Sequence, residues 1–219
     1  MIEPDENDFL LVHALLTGSP ATPYEKGFYY FLFGFPNNYP YSPPRVKLMT
    51  TGGGKVRFNP NLYASGKVCL SILGTYFGPE WSGSQGLRSV LLSIQCLMNE
   101  RPYSNEPGFE KEKKQGDIEK YNDMIRHDNI KVAVLDMVGG SLPNMPESFK
   151  THIQQAFFNN YSFYEETILG NISLTGRPIE DPLYHQERGC FEYDRLLDSL
   201  ESMKCSLMKI NDAQKKEDM

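Results

Sequence analysis

Asn61 and Cys69 stand eight residues apart in the segment Arg57-Phe58-Asn59-Pro60-Asn61-Leu62-Tyr63-Ala64-Ser65-Gly66-Lys67-Val68-Cys69-Leu70. The spacing sets one thiol just past a short turn and beside a side-chain amide, with no histidine near it in sequence. A hydrolytic cysteine needs a base to form its thiolate and to activate water. A cysteine that only passes an acyl group from one thioester to another needs much less. The pattern therefore points to acyl transfer rather than hydrolysis. A cysteine hydrolase stays open only through a histidine distant in the chain. The plain alternative for Cys69 is a buried, inert thiol in a Val-Cys-Leu strand.

Other chemistries find little support. Cys69, Cys96, Cys190 and Cys205 form no CxxC pair, and His13, His127, His152 and His185 are scattered, so neither set has metal-ligand spacing. No P-loop is present. A net charge of −6 argues against nucleic acid as a partner, because phosphate binding needs a basic surface. No apolar run is long enough to span a membrane, and the acidic start Met1-Ile2-Glu3-Pro4-Asp5 has no leader character. A reducing, intracellular setting is the expectation, which leaves the sequon Asn171-Ile172-Ser173 without meaning.

The elements that must position the thiol are legible in outline. Phe9 to Leu16, Gly27 to Phe35 and Arg45 to Met49 read as strands, the aromatic second one best placed in a sheet centre. The connections are too short for helical crossovers, so an antiparallel meander in sequence order is expected. Pro36 to Pro44 cannot be regular structure. Leu87 to Met98 is an amphipathic helix with Leu87, Val90, Leu91, Ile94, Leu97 and Met98 on one stripe and Leu92 and Cys96 on the other side. A second helix is expected over Ile118 to Met137. The break Gly139-Gly140-Ser141-Leu142-Pro143 marks a boundary between residues 1–139 and a helical extension, 140–219. The extension carries helices at His152 to Leu169 and Tyr193 to Ile210, and the tail from Gln214 onward reads as unstructured.

The ordered motifs resemble ubiquitin-conjugating enzymes. Phe35 to Val46 is similar to their Pro-rich loop, Asn59-Pro60-Asn61 with Cys69 to their active-site segment, and Trp81-Ser82 with Leu91 to Gln95 to the segment that follows. Asn105-Glu106-Pro107 is similar to their acidic loop. Within the family the Z type is the one resembled, through Pro43 to Gly52, Asn59 to Asn61 and Asn105 to Glu110. The fold implied is α+β, an antiparallel meander sheet packed with helices and extended by a helical C-terminal region.

The resemblance implies roles. Cys69 would carry ubiquitin as a thioester, Asn61 would donate to an oxyanion or hold the loop in shape, and Glu106 would orient an incoming lysine. Plainer readings are a turn residue for Asn61 and a surface carboxylate for Glu106. Leu92 would face conjugated ubiquitin, where otherwise it is a stray surface leucine. Tyr41, Trp81, Ser82, Gly83 and Ser84 match the two ligase-facing loops, where otherwise Trp81 anchors a core and Tyr41 is half-buried. Gly83-Ser84 departs from the usual Pro-Ala and frees the backbone there, against typical ligase binding. Asn59 departs from the usual His. Gly74 to Glu80 lengthens the loop after Cys69. The family's first helix is expected to be missing, which would weaken charging. Implied partners are ubiquitin or a ubiquitin-like modifier, an activating enzyme, a ligase and protein substrates, with no nucleic acid and no membrane. No bound cofactor is implied, since ATP is consumed by the activating enzyme. Cytoplasmic and nuclear residence and a link to apoptosis follow from the resemblance alone. The rival of another class is a non-catalytic ubiquitin-binding module of the same fold.

Overall fold

The computed structural model describes residues 1–142 and 144–217, with side chains through Ile210. Four strands, β1 (Ile2–Pro4), β2 (Leu11–Thr17), β3 (Phe28–Gly34) and β4 (Arg45–Leu48), form an antiparallel sheet in the order β1-β2-β3-β4. The meander expected from the short connections is present, and the aromatic β3 is an inner strand. Its register sets Phe31 opposite Ala14 and Leu48, and Tyr30 opposite Leu15. The edge strand β1 was not foreseen, because three residues in an acidic segment carry no alternation. Phe9 and Leu10, assigned to the first strand, lie before it and are exposed.

Successive side chains of β3 point to opposite faces, and both faces are covered. Tyr29 donates to Asn129 Oδ1 at 2.6 Å and packs edge-on against Phe58. Its neighbour Tyr30 bonds His13 Nδ1 at 2.6 Å and meets Phe149 edge-on. Phe149 belongs to the C-terminal region, so that region supplies part of the core of the sheet.

α1 (Leu87–Leu97) buries Val90, Leu91 and Ile94 and leaves Leu92 and Cys96 exposed, as its periodicity requires. α2 (Asp117–Asp128) runs on into a π-helical stretch, Asn129–Asp136, buried on nearly every side as a central helix must be. The extension holds α3 (Glu147–Asn159), α4 (Tyr161–Gly170), a two-stranded hairpin of β5 (Pro178–Glu180) and β6 (Glu187–Cys190), and α5 (Tyr193–Glu217).

Two expectations need correction, and one element was missed. The single helix over His152 to Leu169 is two, parted at Asn160, whose φ of −112° and ψ of 12° leave the helical region while its amide bonds Ala156 O at 2.8 Å. Two adjacent asparagines, poor helix formers, stand at that point. The tail is not unstructured from Gln214, since α5 continues through Glu217. Asp218 and Met219 of that tail, and Pro143 of the expected break, lie outside the described residues. The β5–β6 hairpin was missed because its strands of three and four residues are too short to show a period. Among the described residues, no helix is long and apolar enough to cross a membrane.

Candidate active site

The segment that carries the thiol is a tight return of the chain. Leu62 N donates to Asn59 O at 3.0 Å, Gly66 N to Tyr63 O at 2.9 Å, and Cys69 N to Asn61 O at 2.9 Å. Bridges pair Leu62 with Val68 and join Lys67 to Lys47 at the edge of β4. Gly66 is required at the turn. Its φ is +87°, and a Cβ there would stand 2.5 Å from Leu48 O. Cys69 therefore follows an isolated bridge rather than lying inside a strand, contrary to the plain reading of Val-Cys-Leu. Its side chain is a free thiol, 4% exposed.

Thr75 fixes the far side of Cys69. Its hydroxyl donates to Val68 O at 2.7 Å and accepts from Leu70 N at 3.0 Å. Nothing in the sequence singled out this threonine, because a hydroxyl in a loop has many potential partners.

Asn61 is 4% exposed, and its amide donates to Cys69 O at 3.1 Å. One N–H thus holds the loop, and the amide keeps a second donor, so both roles weighed for Asn61 are compatible with this geometry. Asn59 is fully buried and saturated. Its Nδ2 donates to Tyr24 Oη at 2.9 Å and to Leu97 O at 2.8 Å. Its Oδ1 accepts from Asn61 N at 3.0 Å and from Asn105 Nδ2 at 3.3 Å. Asn59 therefore links the turn that carries the thiol to the end of α1 and to the acidic loop.

Glu106 follows the short 3-10 turn Pro102–Asn105. Its carboxylate accepts a hydrogen bond from Tyr184 Oη at 2.6 Å. Tyr184 comes from the segment between β5 and β6, which the sequence did not connect with the site. Its ring lies over the guanidinium of Arg57 at 4.0 Å, and the same guanidinium lies over Tyr63 at 3.9 Å. Arg57 donates to the carbonyls of Asn59 at 3.3 Å and Pro60 at 2.6 Å. Burial, then the bond to Glu106, push the Tyr184 hydroxyl well above the usual phenol range. Because Asn59 Oδ1 accepts from both Asn61 N and Asn105 Nδ2, the turn that carries Asn61 and Cys69 and the loop that carries Glu106 meet on one side chain.

No histidine hydrogen-bonds the Cys69 thiol among the described residues. His13 is held between Asp5 Oδ2 at 2.9 Å and Tyr30 Oη at 2.6 Å, and His127 Nε2 accepts from Glu192 N at 3.1 Å. No group of histidine, cysteine or acidic side chains suited to a metal ion occurs among those residues.

The remaining residues lie around this centre. Leu92 is 50% exposed on α1. Trp81 is partly buried on Tyr39 and donates to Pro40 O at 2.7 Å. Tyr41 is 86% exposed rather than half-buried, since the turn from Asn38 carries its ring outward. Ser82, Gly83 and Ser84 form a turn closed by Ser82 N to Gln85 Oε1 at 3.0 Å and Gln85 N to Ser82 O at 2.8 Å. This closure supplies some of the restraint that a proline would have given at Gly83. Gly74 to Glu80 is exposed throughout, including the ring of Phe77.

A family model described as ubiquitin-conjugating enzyme matches residues 1–128. Among curated relatives, the Ubiquitin-conjugating enzyme E2 Z of Xenopus tropicalis is 50% identical over 202 residues, which is 92% of this chain and 64% of the relative. The protein of the same name from Homo sapiens is 52% identical over 196 residues, 90% of this chain and 55% of the relative. The Caenorhabditis elegans Probable ubiquitin-conjugating enzyme protein 17 is 42% identical over 157 residues, 68% of this chain and 22% of its own length. The chain thus spans between 55% and 64% of the length of the first two relatives.

Proposed function

The chain belongs to the ubiquitin-conjugating enzyme family, and from that premise we propose that Cys69 carries ubiquitin, or a ubiquitin-like modifier, as a thioester and passes it to a lysine. In the first step the Cys69 thiolate attacks the thioester joining the modifier to an activating enzyme. The C–S bond to the activating enzyme breaks, its thiolate leaves, and a new C–S bond forms on Cys69. ATP is spent by the activating enzyme in making that first thioester. In the second step a lysine amine attacks the Cys69 thioester. The amine loses its proton, the Cys69 thiolate departs, and an amide bond remains.

The observation that carries this reading is the joining of the Cys69 and Asn61 turn to the Glu106 loop through Asn59, with no histidine hydrogen-bonded to the thiol among the described residues. Acyl exchange between thioesters needs no base to activate water. The free N–H of Asn61 suits the oxyanion formed as the amine attacks, a contribution of about 3 kcal/mol in a pre-organised site. Glu106 suits the incoming ammonium, which it would orient and whose proton loss it would favour. Leu92 offers an exposed apolar contact for the carried modifier, and Tyr41 with the Trp81 to Ser84 turn offers one for a ligase.

A thioester assay tests the proposal. The chain is incubated with ubiquitin, ATP and each of two activating enzymes, and the products are resolved without reductant. The expected result is a reducible adduct, lost in Cys69→Ala and kept in Cys96→Ala, whose thiol is exposed on α1. An adduct that forms only after a first helix is added at the N-terminus would mean that charging needs that helix, whereas no adduct with or without it would sink the catalytic reading and leave a ubiquitin- or ligase-binding module. Turnover of a ubiquitin ester with no amine acceptor would favour a hydrolase instead.

A further inference from the structure

We infer that Tyr184 is the positioning residue of the acidic gate, holding the Glu106 carboxylate in the orientation that receives the lysine amine. This rests on the proposed role of Glu106. The C-terminal region then completes the catalytic site as well as bracing the sheet.

The contact is short and specific. The phenol donates to Glu106 Oε2 at 2.6 Å across 78 residues of sequence, and a hydroxyl-to-carboxylate bond of that length is among the stronger hydrogen bonds in proteins. A phenol is protonated at neutral pH and burial raises it further, so Tyr184 is a donor there. A carboxylate has about four lone-pair sites. Tyr184 takes one on Oε2, which leaves Oε1 for an incoming ammonium. Pro107 and Gly108, next to Glu106, are exposed, so without this anchor the side chain would be free to turn toward water.

The anchor is itself held. Asp181 Oδ1 accepts from Leu183 N and from Tyr184 N, each at 3.0 Å, which folds Asp181 to Tyr184 into a side-chain-closed turn. Asp181 is buried, and its Oδ2 faces Arg188 Nε at 3.7 Å. Arg188 also pairs with Asp128 on α2 at 3.0 Å. Leu183 is buried beside it. A tyrosine has only two side-chain torsions to fix, so a hydroxyl on this arm is placed with little loss of freedom. Through its stack on Arg57, the same ring also bears on the carbonyls of Asn59 and Pro60, the turn that presents Asn61.

Tyr184→Phe tests this in the full chain, because it keeps the ring on Arg57 and removes only the hydroxyl. The protein is charged with ubiquitin, the activating enzyme is quenched, and discharge is followed with free lysine and, separately, with hydroxylamine. Hydroxylamine is uncharged and strongly nucleophilic at neutral pH, so it has no need of an oriented carboxylate. The expected result is unchanged charging, unchanged discharge to hydroxylamine, and discharge to lysine slowed about tenfold, the scale of one hydrogen bond to a charged group. Tyr184→Phe added to Glu106→Gln should then slow lysine discharge no further, since both act through one carboxylate.

Equal slowing with both amines would mark Tyr184 as a structural prop and overturn the inference. Full lysine discharge by Tyr184→Phe, with Glu106→Gln slow, would overturn it and leave the gate standing. Faster discharge would overturn it too, marking the bond as a restraint on Glu106. Full lysine discharge by Glu106→Gln alone would remove the gate itself, a separate failure that shows in that single variant.

Discussion

Asn59 shows how much one residue decides around the thiol. The family usually has histidine there, and the substitution could have left the loop short of hydrogen bonds. The amide meets the need with four: two donated, to Tyr24 Oη and Leu97 O, and two accepted, from Asn61 N and Asn105 Nδ2. Asn59→Ala should therefore destabilise the protein by roughly 2–4 kcal/mol, the cost of several buried polar groups losing a partner, measured by denaturant unfolding. A change under about 0.5 kcal/mol would mean the network is not needed for stability. Residue type and spacing singled out Asn59, Asn61 and Cys69, because the turn that joins them is local. They could not announce Thr75, Arg57 or Tyr184, whose importance lies in partners reached only after folding.

At the scale of elements, periodicity was the dependable guide. α1 is long enough to repeat its apolar stripe, so its faces were readable, and Leu92 and Ile94 offer a direct comparison. Ile94 is fully buried and Leu92 is half exposed. Ile94→Ala should cost about 2–4 kcal/mol, whereas Leu92→Ala should stay within about 0.5 kcal/mol. Thermal or denaturant unfolding of both variants checks this. A large loss in Leu92→Ala would show that its face is packed rather than free. Where elements are short the guide fails. β1, β5 and β6 have three, three and four residues, too few to repeat a pattern, and their pairing depends on the partner strand. The break between α3 and α4 lies inside a stretch whose aromatic stripe reads straight through Asn160.

At the scale of the molecule, the C-terminal region belongs to the same core as the sheet. Phe149 of α3 is fully buried and meets Tyr30 of β3, and Tyr164 of α4 donates to Lys26 O at 2.9 Å. Phe149→Ala should lower stability by about 3–5 kcal/mol, as for other large aromatic truncations. The parent should also unfold in one transition. Fluorescence of the single tryptophan, Trp81, reports the part that carries the thiol, while far-ultraviolet circular dichroism is dominated by the helices, many of them in the extension. Coincident curves are expected. Two separated transitions would show that residues 140–219 fold apart from the sheet.

The sequence by itself determined the order of the sheet, the buried and exposed faces of α1, and the thiol with its amide eight residues before it. Each depends on contacts within a strand, a turn of helix or a short loop, where residue type and spacing specify the geometry. Tertiary structure alone decided that Asn59 would be saturated by Tyr24, Leu97 and Asn105. It alone brought Tyr184 to Glu106 and Arg57, and it alone covered the second face of β3 with α3. These contacts join residues tens of positions apart, and their pairing is set by which surfaces pack together, a quantity that no local pattern carries.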